Sequence, residues 1–401
     1  MRVISIGDVG VLDDMVHIGD EAMFEEFVTQ ARARGIHHIT GISSNPAETA
    51  ERYGIDAVQR IGFDRMPRDA AVDRMDAVLR AAAGDSSALP AGDPALPVIE
   101  AVRASDGVSV TGGGNISSIW PTHIFERATL GALASLFDKP FVVSGQTIGP
   151  ALTPDDAALV ARMLSSAALV GLRERPSYEL VAGMGVASDR TAHTIDDASY
   201  VGVLSPAAAA LAPYCLVTFA SHVGDDNAAI RNVVIAAYAA LLDHIAASTG
   251  LEIVFLPHFG SLRGDARGDS VMHAAVRALM AAPTREIAAG DSAAAAQLAR
   301  GSSLLVSSRY HPVVFATSAA VPTIGIPVDG YTSVKLEGAL ANAGQSGILP
   351  LAGLLAGNGA SIADHVWGSR SAIRAAGVGT ADARRTASAA WWDRVVAAFG
   401  G

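Results

Sequence analysis

The densest group of reactive side chains lies at residues 306–312, where a predicted strand ends and a predicted helix begins. Arg309 and His311 stand two residues apart at the start of that helix. A guanidinium at this place can bind a carboxylate or a phosphate, and an imidazole beside it can donate or accept a proton. Lys335, early in a later helix, either reaches the same anion or is an ordinary solvated lysine. The pattern predicts an anion site with Arg309 and His311 as its catalytic residues.

Two further strand ends carry polar side chains of a similar kind. Arg173 ends a predicted strand and Ser177 lies in the first turn of the next helix, an arrangement that suits a carboxylate or a phosphate. The alternative is that Arg173 forms a salt bridge with Glu174 or Asp197. His258 directly follows another predicted strand and is therefore a second histidine at a strand end.

Glycine-rich turns follow several of the predicted strands. Three consecutive glycines precede Asn115, and Gln146 follows a glycine at the end of another strand. Glycines at such places indicate either a backbone pressed against a ligand or a sharp turn. Asp20 opens the first predicted helix, where it either faces a ligand or complements the helix dipole. Gln146 is also a candidate partner for a ligand hydroxyl.

The candidate side chains named above follow predicted strands. They can meet in one site if those strands are parallel and their carboxyl ends share one edge of a sheet. Short apolar runs alternate with stretches of helical spacing, which predicts parallel sheets with helices on both faces. The alternation restarts after a joint rich in Pro and Ala at residues 204–213. We predict two doubly wound, Rossmann-like α/β domains that face a cleft, at residues 1–203 and 204–380. A helix at residues 381–401 follows, and we expect it to pack back on the first domain.

Composition excludes several classes of function. The chain has 401 residues, with 29 Lys and Arg against 40 Asp and Glu, so the net charge is −11. An acidic chain without a basic cluster does not suit nucleic-acid binding. The one cysteine, Cys215, excludes an internal disulfide and a cysteine-based zinc site. Because the first residues read as a strand and the longest apolar stretches are interrupted, we predict a cytoplasmic location without a transmembrane segment, leaving open peripheral contact at the inner membrane face.

Taken in order, the motifs resemble the polysaccharide pyruvyl transferase family over about residues 1 to 340. The resemblance rests on these segments: Gly19-Asp20-Glu21-Ala22, Gly112-Gly113-Gly114-Asn115, Gly145-Gln146-Thr147-Ile148-Gly149-Pro150, Arg173 with Ser177, Ser308-Arg309-Tyr310-His311, Val321-Pro322, and Tyr331 with Lys335. It implies a two-domain architecture like that of GT-B glycosyltransferases.

The resemblance also implies a reaction. Phosphoenolpyruvate would act as co-substrate and place a pyruvate ketal on a sugar of a surface polysaccharide or glycoconjugate precursor, with no other cofactor and no metal. His311 would be the general acid. The donor's carboxylate and phosphate would be bound by Arg173, Ser177, Arg309 and Lys335. A sugar or lipid-linked oligosaccharide acceptor would face Asp20, Asn115, Gln146 and His258, with His258 also assisting as a base.

Two alternatives stay open at this point. The first is a GT-B glycosyltransferase that uses a nucleotide sugar, although Asp329 is the only carboxylate in the region after Arg309 that could hold the donor. The second is a non-catalytic relative that binds sugars, and the presence of Arg309, His311 and Lys335 together argues against it.

Overall fold

A computed structural model describes residues 1–203, 212–224 and 227–400 of the chain. Most of the predicted joint at residues 204–213 lies outside the described residues. The strands are β1 (Arg2–Ile6), β2 (Met15–His17), β3 (His38–Ser43), β4 (Asp56–Gln59), β5 (Gly107–Val110), β6 (Gly113–Ile116), β7 (Phe141–Ile148), β8 (Leu169–Leu172), β9 (Thr191–His193), β10 (Tyr214–Thr218), β11 (Glu252–Phe255), β12 (Phe259–Ser261), β13 (Thr284–Glu286), β14 (Leu304–Ser307) and β15 (Thr323–Gly325).

The helices alternate with these strands along most of the chain. They are α1 (Ile18–Ala33), α2 (Pro46–Tyr53), α3 (Arg68–Ala82), α4 (Ala95–Ala104), α5 (Pro121–Leu136), α6 (Pro154–Ser166), α7 (Arg175–Gly183), α8 (Ala228–Thr249), α9 (Asp269–Arg277), α10 (Ser292–Gly301), α11 (Tyr310–Ser318), α12 (Gly330–Asn342), α13 (Leu351–Leu355), α14 (Gly359–Gly368) and α15 (Arg370–Ala398). A 3₁₀ turn spans Asp197–Tyr200.

The chain divides into two compact units. Unit 1 comprises Met1–Leu12, Met23–Asp197 and Thr386–Gly401, and unit 2 comprises Asp13–Ala22 and Ala198–Arg385. Residues 13–22 therefore belong to unit 2, whereas the sequence pattern predicts them in the first domain.

Unit 1 is built on a parallel sheet with strand order β4-β3-β1-β5-β7-β8-β9, and β6 pairs with β7 beside this path. The order reverses between β1 and β5, the switch point at which doubly wound sheets bind ligands. The central strands are buried on both faces, as the apolar run of β5 requires. In the last part of the chain, Trp391 Nε1 donates a hydrogen bond to Ser144 Oγ at 2.9 Å within this unit.

Unit 2 is built on a second parallel sheet with strand order β13-β11-β10-β14-β15. Its switch point lies between β10 and β14. The predicted doubly wound α/β class is thus confirmed in both units.

A short antiparallel pair, β2 with β12, joins residues 13–22 to unit 2. The His17 and Phe259 rings stack across this pair with centroids 4.0 Å apart. The Ile18 amide donates to the His258 carbonyl at 2.9 Å. These contacts hold the first turn of α1 in the same unit as β14 and α11.

One helix among the described residues, α8, is long and apolar enough to cross a membrane by length and composition. Its apolar residues, among them Val234, Leu242 and Ile245, are buried in the core of unit 2 together with those of β10 and β11. Helices in the cores of globular domains commonly have this composition.

Candidate active site

Arg309 lies two residues after the end of β14 and occupies the N-cap position of α11. Its Nε and Nη2 both bind the Asp269 carboxylate, with a shortest distance of 2.5 Å from Nη2 to Oδ1. Asp269 is fully buried and also accepts hydrogen bonds from the backbone amides of His258 and Phe259. Burial acts to raise the pKa of Asp269, but the attraction of Arg309 and the hydrogen bonds outweigh it, so the pKa is lowered. Asp269 therefore stays ionised and fixes the guanidinium in one orientation.

The fixed guanidinium keeps one free donor. Within the described residues Arg309 Nη1 makes no hydrogen bond, and the side chain retains 21% of its exposure. His222 follows β10 across the switch point, and removal from water lowers its pKa. The positive charges of Arg309 and Lys335 lower that pKa further, while the negative charges of Asp329 and Asp269 act to raise it. The three cation-capable side chains thus influence one another at the switch point of unit 2.

His311 is the second residue of α11, and its imidazole packs against the backbone of Gly19. A methyl group at Gly19 would come within 1.8 Å of His311 Nδ1, so only glycine leaves room for this ring. The ring also contacts Tyr310 edge-on, with centroids 5.1 Å apart, and Phe315 at 6.1 Å. The first turn of α1 and the aromatic side chains of α11 therefore set the position of His311.

Lys335 lies on α12, which begins with a capping box between Asp329 and Thr332. Its Nζ donates to Tyr331 Oη at 3.1 Å and lies 5.1 Å from the centre of the Tyr310 ring. Tyr310 contacts both Lys335 and His311, so the structure brings the lysine to the start of α11. Lys335 is half-buried and held by aromatic rings, unlike a solvated surface lysine.

Asp20 also belongs to unit 2, in the first turn of α1 next to Gly19. Its carboxylate lies 3.8 Å from His17 Nδ1. The structure thus places Asp20 on the segment that packs against His311.

His258 requires a correction. It is 4% exposed, its ring lies 6.0 Å from Phe315, and neither ring nitrogen has a hydrogen-bond partner of good geometry. Burial lowers the pKa of His258 to about 3, which makes it a poor base near neutral pH. Its backbone instead bridges Asp269 and Ile18. The predicted role of His258 as a base is therefore wrong, and its backbone positions Asp269 and Ile18.

Arg173 and Ser177 also require a correction, because both are buried in a polar network of unit 1. Arg173 is 1% exposed, and its Nη1 binds Asp196 at 2.7 Å while its Nε binds Thr147 and lies 3.6 Å from Glu174. Ser177 Oγ accepts from the Ile148 amide at 2.9 Å and also hydrogen-bonds Glu174. The salt-bridge alternative therefore describes Arg173, with Asp196 in the place expected of Asp197.

Gln146 and Asn115 occupy the carboxyl end of the unit 1 sheet. Gln146 is fully buried and donates to the Thr111 carbonyl, so it braces the end of β5 against β7, while its Oε1 is buried and has no hydrogen-bond partner. Asn115 lies within β6, where the glycine-rich segment forms a short strand paired with β7 rather than a turn. Its Oδ1 is buried and has no hydrogen-bond partner.

Comparison with known proteins decides the family. The family model for polysaccharide pyruvyl transferase matches residues 17–330, more than three quarters of the chain. The chain belongs to the polysaccharide pyruvyl transferase family. The matched region includes Arg309 and His311 and confirms the resemblance seen in the motifs. The search among curated proteins finds no match.

The fold of this pyruvyl transferase family member is similar to that of solved nucleotide-sugar enzymes. A protein from Listeria monocytogenes described as a UDP-N-acetylglucosamine 2-epimerase has a TM-score of 0.63 at 12% identity, covering 99% of this chain and 95% of that one. The spinosyn rhamnosyltransferase SpnG, complexed with thymidine diphosphate, has a TM-score of 0.54 at 17% identity, covering 98% and 100%. At these identities the likeness concerns the fold, which is of the GT-B class.

Two residues of this family member's site escape the sequence motifs. His222 follows β10, the first strand of the unit 2 parallel sheet along the chain, a position that the strand pattern could have indicated. Asp269 begins α9, and nothing in its local sequence shows that it lies against Arg309, 40 residues further along the chain. Across residues 1–203, 212–224 and 227–400, no three His, Cys, Asp or Glu side chains are grouped to hold a metal ion.

Proposed function

We propose that the protein transfers a pyruvyl group from phosphoenolpyruvate to two hydroxyls of a sugar, forming a pyruvate ketal on a surface polysaccharide or glycoconjugate precursor. The observation that carries the proposal is the guanidinium of Arg309, fixed by Asp269 with Nη1 free, two residues before His311 at the switch point of unit 2. Family membership supports the same reaction class.

The donor carries a carboxylate and a phosphate, and the site offers cationic groups for them. Arg309 would bind one anionic group through Nη1, and Lys335 would supply a second positive charge beside Tyr310. Because Asp269 already holds Arg309 in place, little reorganisation is needed when the donor binds, which favours electrostatic stabilisation of the transition state.

His311 would act as the general acid. It would protonate the methylene carbon of phosphoenolpyruvate, and C2 would become an electrophile resembling an oxocarbenium ion. One sugar hydroxyl would add to C2 and lose its proton, the C2–O bond to phosphate would break, and a neighbouring hydroxyl would close the ketal. The products would be the ketal and inorganic phosphate, so no oxidant or cofactor is needed. The packing of Gly19 and Phe315 on the ring would hold His311 in reach of the substrate.

The test is phosphate release from phosphoenolpyruvate with a panel of saccharides that carry neighbouring hydroxyl pairs. We expect release that requires both substrates, matched by a ketal product, and abolished in His311→Asn. The control is His244→Asn, which alters a histidine paired with Asp364 on the surface of unit 2. Release of a nucleoside diphosphate from a nucleotide sugar, with no reaction of phosphoenolpyruvate, would instead support the glycosyltransferase alternative.

A further inference from the structure

A cluster of basic side chains in unit 1 surrounds a single carboxylate, Asp8. Asp8 follows β1, and its oxygens lie 3.2 Å from Arg60 Nη2, 3.2 Å from His123 Nδ1 and 3.2 Å from Arg127 Nη2. Arg60 directly follows β4, while His123 and Arg127 lie in the first two turns of α5. The cluster therefore lies at the carboxyl edge of the sheet, where open α/β sheets bind ligands.

The cluster has more positive charge than its carboxylate can balance. Burial acts to raise the pKa of Asp8, but Arg127, His123 and Arg60 outweigh it and hold that pKa well below its usual value, so Asp8 contributes one negative charge. The two guanidiniums alone exceed it. Glu126, next in sequence to Arg127, directs its oxygens to the backbone amides of residues 61–63, and among the described residues it forms no ion pair with Arg60 or Arg127.

Several donors of the cluster lack an acceptor. The Nε atoms of Arg60 and Arg127 are buried without a hydrogen-bond partner, and Arg127 is only 2% exposed. A buried cation that is not fully paired is costly, so a surplus of this kind points to an anion that completes the site. Arg60 and His123 retain 17% and 24% exposure, which leaves them accessible to a ligand from solvent.

An exposed aromatic side chain lies beside the cluster. Trp120 precedes α5, its carbonyl accepts from the His123 amide at 3.1 Å, and its side chain is 37% exposed next to the 49% exposed Ile119. Binding sites commonly combine such an apolar wall with a few charged groups that fix orientation. The segment that leads into α5 thus adds exposed apolar side chains close in sequence to His123.

We propose that Arg60, His123 and Arg127 form a second anion site, which binds a phosphate group carried by the acceptor. Arg60 and His123 contact the phosphate oxygens, Arg127 adds positive charge, and Asp8 offsets one unit of that charge. The identification of the ligand as an acceptor rests on the proposed function, whereas the phosphate site itself does not.

The test is calorimetric titration of the full chain with inorganic pyrophosphate. It uses a background carrying Arg309→Gln and Asp269→Asn, so that the anion site of unit 2 does not contribute. We expect Arg60→Gln and His123→Gln each to weaken binding at least tenfold. Arg52→Gln is the matched control, since Arg52 of unit 1 is also partly buried and pairs with Glu48 at 2.5 Å. Folding of each variant is checked by circular dichroism.

The Asp8→Asn variant separates a phosphate site from a cluster that serves only the fold. Removing the one carboxylate raises the positive charge, so pyrophosphate should bind more tightly and raise the melting temperature more than in the parent chain. Binding that is absent from the folded parent, or insensitive to Arg60→Gln and His123→Gln, would overturn the proposal. So would weaker binding in folded Asp8→Asn.

The two proposals fail in different ways. Wild-type protein that binds no phosphoenolpyruvate, while pyrophosphate binding still depends on Arg60, contradicts the proposed function and leaves the phosphate site standing. Phosphoenolpyruvate binding that depends on Arg309, with pyrophosphate binding indifferent to Arg60 and His123, contradicts the phosphate site alone.

Discussion

Replacing Gly19 with alanine should damage catalysis through His311 without touching a catalytic group. The added methyl carbon would lie 1.8 Å from His311 Nδ1, whereas ordinary contact begins at 3.4 Å. The ring or the first turn of α1 must therefore move by about 1.6 Å. A misplacement of about 1 Å in a catalytic group can cost on the order of 100-fold in rate. We therefore expect kcat to fall by about 100-fold, which corresponds to about 2.7 kcal/mol of transition-state free energy.

The assay is phosphate release under saturating phosphoenolpyruvate, together with donor affinity. Because Arg309 is held by Asp269 and not by α1, the affinity for phosphoenolpyruvate should change much less than kcat. Gly330→Ala is the control, since Gly330 also lies in the first turn of a helix of unit 2 and has no heavy atom within 4 Å of the added carbon. Wild-type kcat in a folded Gly19→Ala variant would refute the role given to His311 or the packing that positions it.

Three further predictions concern buried groups. Arg173→Gln should lower the free energy of unfolding by about 3–5 kcal/mol in urea titration, because it strands the buried Asp196 carboxylate; a loss below 1 kcal/mol would contradict the structural role. Since the pKa of His258 is lowered to about 3, the unfolded chain binds a proton that the folded chain excludes. The free energy of unfolding should therefore fall as the pH drops below about 6.5. Between pH 7 and pH 5 it should fall by about 2 kcal/mol less in His258→Phe than in wild type. Equal losses in the two proteins would argue against a neutral buried imidazole. Burial and the nearby Asp196 raise the pKa of Asp197 to about 7, so its ionisation destabilises the folded state as pH rises from about 4 to 7. In urea titrations, the free energy of unfolding of Asp197→Asn relative to that of wild type should be higher at pH 8 than at pH 4. An equal difference at the two pH values would refute this prediction.

Local sequence signals predicted the regular elements well. Thr153 followed by Pro154 predicts the start of α6, and the Thr153 side chain indeed accepts from the Asp156 amide. The alternation of apolar and helical segments predicts the two parallel sheets. Such signals act within a few residues, so a single sequence carries them.

Long-range pairing is what the sequence could not show. The β2–β12 pair is only three residues long, yet it joins residues 13–22 to unit 2 and thereby places Gly19 on His311. Arg173 stands at a strand end as predicted, but its partner Asp196 comes from a segment 23 residues later. Whether an arginine at a strand end is free for a ligand depends on such partners, which no local pattern reveals. Arg309 has a carboxylate partner too, but keeps Nη1 free.

The central claim is that unit 2 binds phosphoenolpyruvate through Arg309. The most direct measurement is calorimetric titration of the full chain with phosphoenolpyruvate. The wild-type protein should bind phosphoenolpyruvate with a favourable binding free energy of about 4 to 8 kcal/mol, which corresponds to a millimolar to micromolar dissociation constant. Arg309→Gln combined with Asp269→Asn, which leaves no buried charge unpaired, should weaken binding at least tenfold. Arg285→Gln, which alters an arginine paired with Glu252, should bind like wild type. No heat with phosphoenolpyruvate, alongside clear binding of a nucleoside diphosphate, would contradict the account.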